Sequence, residues 1–572
     1  ALFSQPNKFG GYTIELDMTT LRNNKFFQCP ESNRLVFFWL FCFAVLFSLV
    51  LIANPGFFSH SEIEKADYIH QLGLALTLGK DMPFVSSFLE GMMSHFSFKY
   101  PFWVHLMTVL IHGAVACLLF SAIVRVQGNR RFAWASALIF LACPLVTFST
   151  AWAGATSELL YVLFGLVAFN SAHDYITEKR RGSALLATFF ASLLAMVCKQ
   201  TAIVFPLVLL LIFYFFPAEK AEKKRIWMAF FAFSIPVLLY LMYRMLPMNV
   251  GTQAASHPGL AEGLFVPFIY PFLPFLTESH TWVLQSSLNI GAAVVMFVVL
   301  LFLLWRAFSI KAVLAYLLLC LVFILPAMFT SDAGAHNLYG LGIPFSLAFG
   351  ALLTVNREET SKAMRFIAIV LLAVSFFHTL VIQHYFYKTG SCMNSIAITT
   401  SSAYLADGNP EKMSILVQPN APGYVLKRFI HERKTIAPGS PVEFEVVDWD
   451  KRNEVKTGYV LNCYCQVHEH PDLRLKVSKW GPQDMVANTN PNPQPDGTVG
   501  TWIQVSGTEN LGELEVLLAG QLAKLTSVQP QMITATFTPD HFAQAGDKEF
   551  AIRQVSTGKV FVVGTVHISP SR

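Results

Sequence analysis

The chain has 572 residues, of which 54% are hydrophobic and only 13% charged, with a mean hydropathy of +0.49 and a formal charge of +5. A soluble globular protein carries about 25% charged residues, so this composition excludes a wholly soluble fold and points to a membrane-embedded one. The positive surplus lies in short loops between apolar runs, which gives no reason to expect nucleic acid as a partner.

Taken in order, Ala1 to Asp17 are polar and lack the apolar core of a secretory signal. Apolar runs of roughly 17–22 residues, suited to a ~30 Å hydrocarbon core, then predict about eleven spans. They fall near 35–53, 102–124, 132–149, 157–172, 184–198, 201–217, 226–246, 286–305, 312–328, 338–355 and 365–383. Lys and Arg collect in alternate loops: Arg125 with Arg130 and Arg131, Lys179 to Arg181, Lys220 to Arg225, Arg306 with Lys311, and Arg357 with Lys362 and Arg365. Cytoplasmic loops hold such an excess. This predicts an inside N-terminal segment over 1–34, a membrane domain over 35–383 and an exported tail from about His384.

Four stretches on the expected outer side carry chemistry. SHSEIEKADYIH (Ser59 to His70) places Glu62, Glu64 and Asp67 just outside the first span. Ser59-x-x-Glu62 and Ser61-x-x-Glu64 also match a capping box. Ile63, Ala66, Ile69, Leu72 and Leu76 make an apolar stripe behind them, so an interfacial helix with solvated carboxylates is the plainer reading. KYPFWVHLMTVLIH (Lys99 to His112) sets His105 and His112 seven residues apart on one helix face. Ionisable groups within a span commonly face a cavity and mark function, although either histidine also suits a structural role. Cys198-Lys199-Gln200 isolates one base at the outer end of a hairpin, where an anionic partner such as a lipid phosphate, or snorkelling to headgroups, would satisfy it. SDAGAHNLYG (Ser331 to Gly340) puts His336 at the outer mouth of the tenth expected span.

The tail changes character. A linker is expected over 384–439, and over 440–572 the runs PVEFEVV, GTWIQVSG, MITATFTP, EFAIRQV and KVFVVGTVHI alternate with period two, which predicts a compact β-sandwich. Asn488 to Gly497 reads as a rigid surface loop. Cys463, Cys465, His468 and His470 have ligand chemistry, but on a strand the cysteines and histidines would face opposite ways. A disulfide to Cys392, or packing, suits the cysteines better than a metal.

In this setting the chain resembles the GT-C superfamily of integral-membrane glycosyltransferases, nearest to the tetratricopeptide-repeat O-mannosyltransferase branch. There the second span reads like H-L-V-N-x-L-L-H, against His105-Leu-Met-Thr-Val-Leu-Ile-His112 here. The following hairpin, H-P-…-A-W-x-x-G-R-A-D-L-L, is matched by Cys143-Pro144 … Ala151-Trp152-Ala-Gly-Ala-Thr156-Ser157-Glu158-Leu-Leu. S-K-E-x-x-x-x-x-P is matched by Cys198-Lys199-Gln200 through Pro206, and E-R-Y-L-Y by Ala335-His336-Asn337-Leu338-Tyr339. The landmarks occur in order over about 55–355. Ser61-Glu62 stands where the family often has Asp-Glu, Thr156 and His336 replace arginines, and the repeat domain is absent.

The resemblance implies a polytopic α-helical membrane enzyme in a bacterial inner membrane, with its active site and β-domain in the periplasm. It would move one sugar from a polyprenyl-phosphate donor to a hydroxyl of O-antigen, surface polysaccharide or pilin, by inverting displacement. Glu62 would be the base, with Glu64 and Asp67 as second choices. Lys199 and His336 would meet the donor phosphate, and His105, His112, Glu158 and Tyr339 would line the cavity. A divalent ion, Mg or Mn, shared by Glu62 and Glu64 is allowed by these residues but signalled by no sharp motif. The rival readings are an oligosaccharide ligase or polymerase, a transporter and a non-catalytic scaffold. Arginine-rich outer loops would mark the ligase, yet 247–285 contains no Arg or Lys. Matching halves with Gly/Pro-broken helices would mark a transporter, and no such internal symmetry is visible in the sequence.

Overall fold

In a computed structural model the described residues are 32–56, 100–177, 182–215, 223–244, 260–274, 287–328, 334–355, 360–406, 412–419, 421–430, 435–437, 440–441, 443–448, 459–469, 476–506, 513–555, 558 and 560–571. The chain divides into two compact units, Ala1–Ser391 and Cys392–Arg572.

In the first unit the apolar runs become helices, and proline, glycine and short polar residues set their ends. α1 (Asn33–Phe47) breaks at Ser48 before the single turn α2 (Leu49–Ile52). α3 (Pro101–Gln127) begins on proline, whose missing N–H costs nothing there. It ends at Gly128, whose φ of 69° closes the helix in the left-handed region open to glycine. Asn129 accepts from the Phe132 N–H at 3.1 Å and so caps α4 (Arg130–Leu141). Pro144 restarts the chain as α5 (Pro144–Ala151), bent 52° from α4. The remainder are α6 (Thr156–Thr177), α7 (Gly182–Cys198), α8 (Phe205–Phe215), α9 (Lys223–Arg244), α10 (Leu260–Ile269), α11 (Ser287–Ala307), α12 (Ile310–Met328), α13 (Gly342–Thr354) and α14 (Thr360–Ala406).

One apolar core runs through the bundle. The span beginning at Ala153 is 78% buried and central, whereas those of α9 and α11 are only 28% and 22% buried, leaving Phe231, Phe302 and Trp305 turned outward as a bilayer requires. Near the ends of α3 and α6, Arg125 Nε donates to Asp174 Oδ1 at 2.8 Å. Glu158 begins α6 sixteen residues before Asp174, and so lies about 24 Å away along the helix axis.

The expected span count is revised. Among the described residues six helices are long and apolar enough to cross a membrane, or seven if the bent α4–α5 pair is one span. Helices Asn33–Phe47, Gly182–Cys198, Gln200–Phe215 and Ile310–Pro326 occupy expected windows but are shorter. At 1.5 Å per residue they fall short of ~30 Å when straight. The unit is mostly helical, and by length and composition these helices are compatible with a multi-pass membrane protein.

The second unit departs from a linker followed by one sandwich. α14 is a single 47-residue helix that continues beyond His384. β1 (Lys412–Val417) and α15 (Gly423–Ile430) follow, then the β2 (Thr435–Ala437) and β3 (Ser440–Pro441) ribbon, β4 (Glu443–Val447), β5 (Tyr459–Leu461) and β6 (Val467–Glu469). β1 lies parallel to both β4 and β5 in a sheet of order β4-β1-β5-β6. Parallel neighbours need a long crossover, so residues 412–469 form a mixed sheet of their own. Cys392 is disulfide-bonded to Cys465.

The sandwich itself begins at β7 (Lys476–Gly481) and continues through β8 (Asp484–Val486), β9 (Val499–Ser506), β10 (Leu514–Leu518), β11 (Gln521–Leu522), β12 (Leu525–Gln529), β13 (Met532–Phe537), β14 (Gly546–Gln554) and β15 (Val560–Ser569). Sheets of order β11-β10-β14-β15-β8 and β12-β13-β9-β7 share one core that includes Ile503, Val516, Phe537, Phe550 and Ile552.

Candidate functional site

The polar centre of the helical unit is built on Lys199. Small residues Ala153 to Ala155 turn the chain into α6, with Thr156 Oγ1 donating to the Ala153 carbonyl at 2.6 Å. Glu158 thus falls in the first turn of α6, where the positive end of the helix favours a carboxylate. Its side chain is fully buried and ion-paired through Oε1 with Lys199 Nζ, whose side chain is 18% exposed. Lys199 sits in extended backbone between α7 and the 3₁₀ turn Gln200–Val204, and also donates to Asn337 Oδ1 at 2.8 Å. Glu158 Oε2 is buried without a hydrogen-bond partner. An isolated charge here would be very costly, so each of the pair needs the other. The anionic partner demanded by the apolar context of Lys199 is therefore supplied by the chain itself.

Asn337 belongs to the 3₁₀ turn Ala335–Leu341, which also carries His336 and Tyr339. Tyr339 OH lies 2.8 Å from His112 Nδ1, and His112 Nε2 lies 3.5 Å from the Leu141 carbonyl, both groups being buried. A carbonyl only accepts, so in the neutral ring Nε2 carries the hydrogen and Nδ1 accepts from the tyrosine. The Leu141 and Ala142 carbonyls are exposed by the α4–α5 break, and Thr379 Oγ1 donates to Ala142 at 2.7 Å. Gly340 is required by close approach, because a Cβ there would stand 2.5 Å from Phe323 and 2.6 Å from Tyr161 OH.

His336 is half-buried, its ring 4.8 Å from Trp152 and 6.2 Å from Phe148, while its carbonyl accepts from Ser149 Oγ at 2.7 Å. His105, on the expected face of α3, donates from Nε2 to the Gly56 carbonyl at 3.2 Å, leaving its buried Nδ1 unpartnered. Asn54 fastens the same corner, accepting from the Gly56 N–H at 3.1 Å and donating to the Phe386 carbonyl at 3.2 Å. Glu62, Glu64 and Asp67 lie outside the described residues.

The structure therefore brings Glu158, Lys199 and Asn337 into one cluster, and His112 and Tyr339 into a second joined to it by the 335–341 turn. His336 stands beside the hairpin tryptophan, and His105 points to a separate corner at Gly56. Sequence reasoning missed Asn337 and Ser149, which carry no signal beyond their place next to a landmark. The Glu158–Lys199 pairing had a readable signal: one acid and one base in otherwise apolar windows. A divalent ion does not suit this cluster, since the Lys199 ammonium already fills the position a cation would take beside Glu158. Among the described residues no group of three or more His, Cys, Asp or Glu side chains is placed to hold a metal.

In the second unit Cys463 and Cys465 sit in the turn before β6, Cys465 with a φ of 61°, so strand alternation does not govern them. Trp480 faces inward, 5.5 Å from Phe550 and packed on Gly564. Trp502 faces outward, 36% exposed over Gly481. No family model matches the chain, and no curated protein matches it either.

Proposed function

We propose that this protein is a GT-C-type membrane glycosyltransferase, moving a single sugar from a polyprenyl-phosphate donor to an acceptor hydroxyl at the outer face of a bacterial inner membrane. The carrying observation is convergence: the hairpin acid Glu158, the isolated base Lys199 and the 335–341 turn, distant in sequence, meet at one end of the bundle, with His112 attached through Tyr339. On this reading the shorter helices also lie in the bilayer, giving about eleven spans.

The acceptor oxygen attacks the anomeric carbon as its proton passes to the Glu62 carboxylate. The bond from that carbon to the phosphate oxygen breaks, and its electron pair leaves with polyprenyl phosphate. Lys199 and His336 stabilise the charge growing on that oxygen. Glu158 positions the Lys199 ammonium and Asn337 fixes its direction. Trp502, on the sandwich exterior, offers an aromatic face for a glycan acceptor.

The test is turnover by the full chain in nanodiscs supplied with undecaprenyl-phosphate-linked glucose, galactose, mannose or arabinose and a surrogate alcohol. Release of undecaprenyl phosphate with one of these donors supports the reading. No turnover of any donor, together with uptake of a labelled solute into proteoliposomes, supports a transporter instead.

A further inference from the structure

The bundle contains a second feature that the proposed chemistry does not use. A cavity of about 730 Å³ lies between α3, α6, α8, α11, α12 and α13. One end is closed by Phe205 and Phe323, whose rings also crowd Gly165 and Gly340 beneath the polar cluster. The other end is formed by the turn from Gln127 to Arg131 and by Thr354 and Val355. That end lies beside Arg125 and Asp174, opposite the end that holds Glu158.

The walls are aliphatic and aromatic, and the cavity is well within the range of about 300–1,000 Å³ usual for small-molecule sites. Among the described lining residues the charge is all at one end and of one sign: Arg130 and Arg131, with no Asp or Glu. Arg130 is held by Asn33 Oδ1 at 2.6 Å and lies over the Phe120 ring, which fixes one cation at the rim, and half-buried Arg131 adjoins it. An apolar chamber with a cationic rim fits one ligand chemistry, a hydrocarbon chain ending in an anionic phosphate.

We infer that this cavity seats one chain of an anionic phospholipid, with the phosphate on Arg130 and Arg131, at the end of the bundle opposite the proposed donor site. The inference does not rest on the proposed activity, because its readout is lipid retention.

The full chain is purified in detergent, exposed to vesicles of phosphatidylglycerol or phosphatidylcholine, stripped by repeated detergent washing, and weighed intact by mass spectrometry. The wild type should keep one phosphatidylglycerol per chain and prefer it over phosphatidylcholine. Arg131→Ala should cut that preference about fivefold, the weight of one basic residue at a lipid surface. Ala348→Trp, which fills the chamber from α13, should lose retention of both lipids while leaving melting behaviour intact. If that variant does not fold, Ala315→Leu narrows the chamber from α12. Equal retention of the two lipids, an unchanged preference in Arg131→Ala, or full replacement of phosphatidylglycerol by inorganic phosphate would each overturn the lipid seat.

Discussion

Removing either member of the Glu158–Lys199 pair should destabilise the helical unit, but unequally, and burial sets the order. Lys199→Met leaves a fully buried carboxylate whose Oε2 already lacks a hydrogen-bond partner and whose Oε1 loses the Lys199 ammonium. Breaking a buried pair from that side costs about 3–5 kcal/mol. Glu158→Gln leaves an ammonium that is 18% exposed and still bonded to Asn337, so its loss should be nearer 1–3 kcal/mol. The double variant Glu158→Gln/Lys199→Met removes both charges and should recover much of the loss, with a coupling of about 1–3 kcal/mol. Thermal unfolding of the four proteins in one detergent, followed by tryptophan fluorescence, measures the series. The reasoning fails if Glu158→Gln melts at or below Lys199→Met, or if the single effects simply add.

Glu62→Gln should lower sugar transfer by about 10²–10⁴ without loss of folding, the usual contribution of a general base; purified variant keeping more than about a tenth of wild-type turnover would remove it from that role. Trp502→Ala should weaken transfer to a glycan acceptor while leaving melting and surrogate-alcohol transfer intact, whereas Trp480→Ala, in the sandwich core, should cost about 3–5 kcal/mol; equal stability losses would contradict the assigned faces. In the sandwich, Asp547 lies 2.5 Å from His567 Nδ1 and raises the histidine above 6.5, chiefly by hydrogen bonding and then by charge. The stability from this contact is therefore complete below 6.5 and fades as pH rises through the folded value. Histidine NMR should find the His567 midpoint lower in Asp547→Asn, and an unmoved midpoint would refute the contact.

Legibility differed by kind of interaction. Each apolar window became helix over its described residues, because burying such runs or embedding them in lipid needs no information beyond hydropathy. The helix breaks were marked in part: Pro144 announces the restart at α5, but Ser48 gives no such notice. The Lys199 partner was only half legible: an acid and a base in apolar windows marked the candidates, but they lie 41 positions apart and only packing decides whether the lysine meets Glu158 or a lipid. Trp480 shows a subtler limit. β7 pairs Val477 with Val505 and Trp480 with Ile503, the register shifting between Val477 and Lys479. That bulge reverses the alternation, so Val477 and Trp480 both face the core although three positions separate them. Period-two reading has no access to an extra residue of that kind. The sheet over 412–469 was missed for a related reason: its strands are short and partly parallel, and α15 interrupts the alternation.

The 335–341 turn has a consequence for how sequence change is tolerated. With about three residues per revolution, each inserted or deleted residue rotates everything downstream by about 120°. A one-residue insertion after Asn337 would leave the amide at Lys199 but swing the phenol away from His112, while one before His336 would disturb both. Reading-frame-preserving insertions and deletions should thus be far more damaging here than most single substitutions. A library scanned by indels would mark these seven positions as an interval of near-complete intolerance.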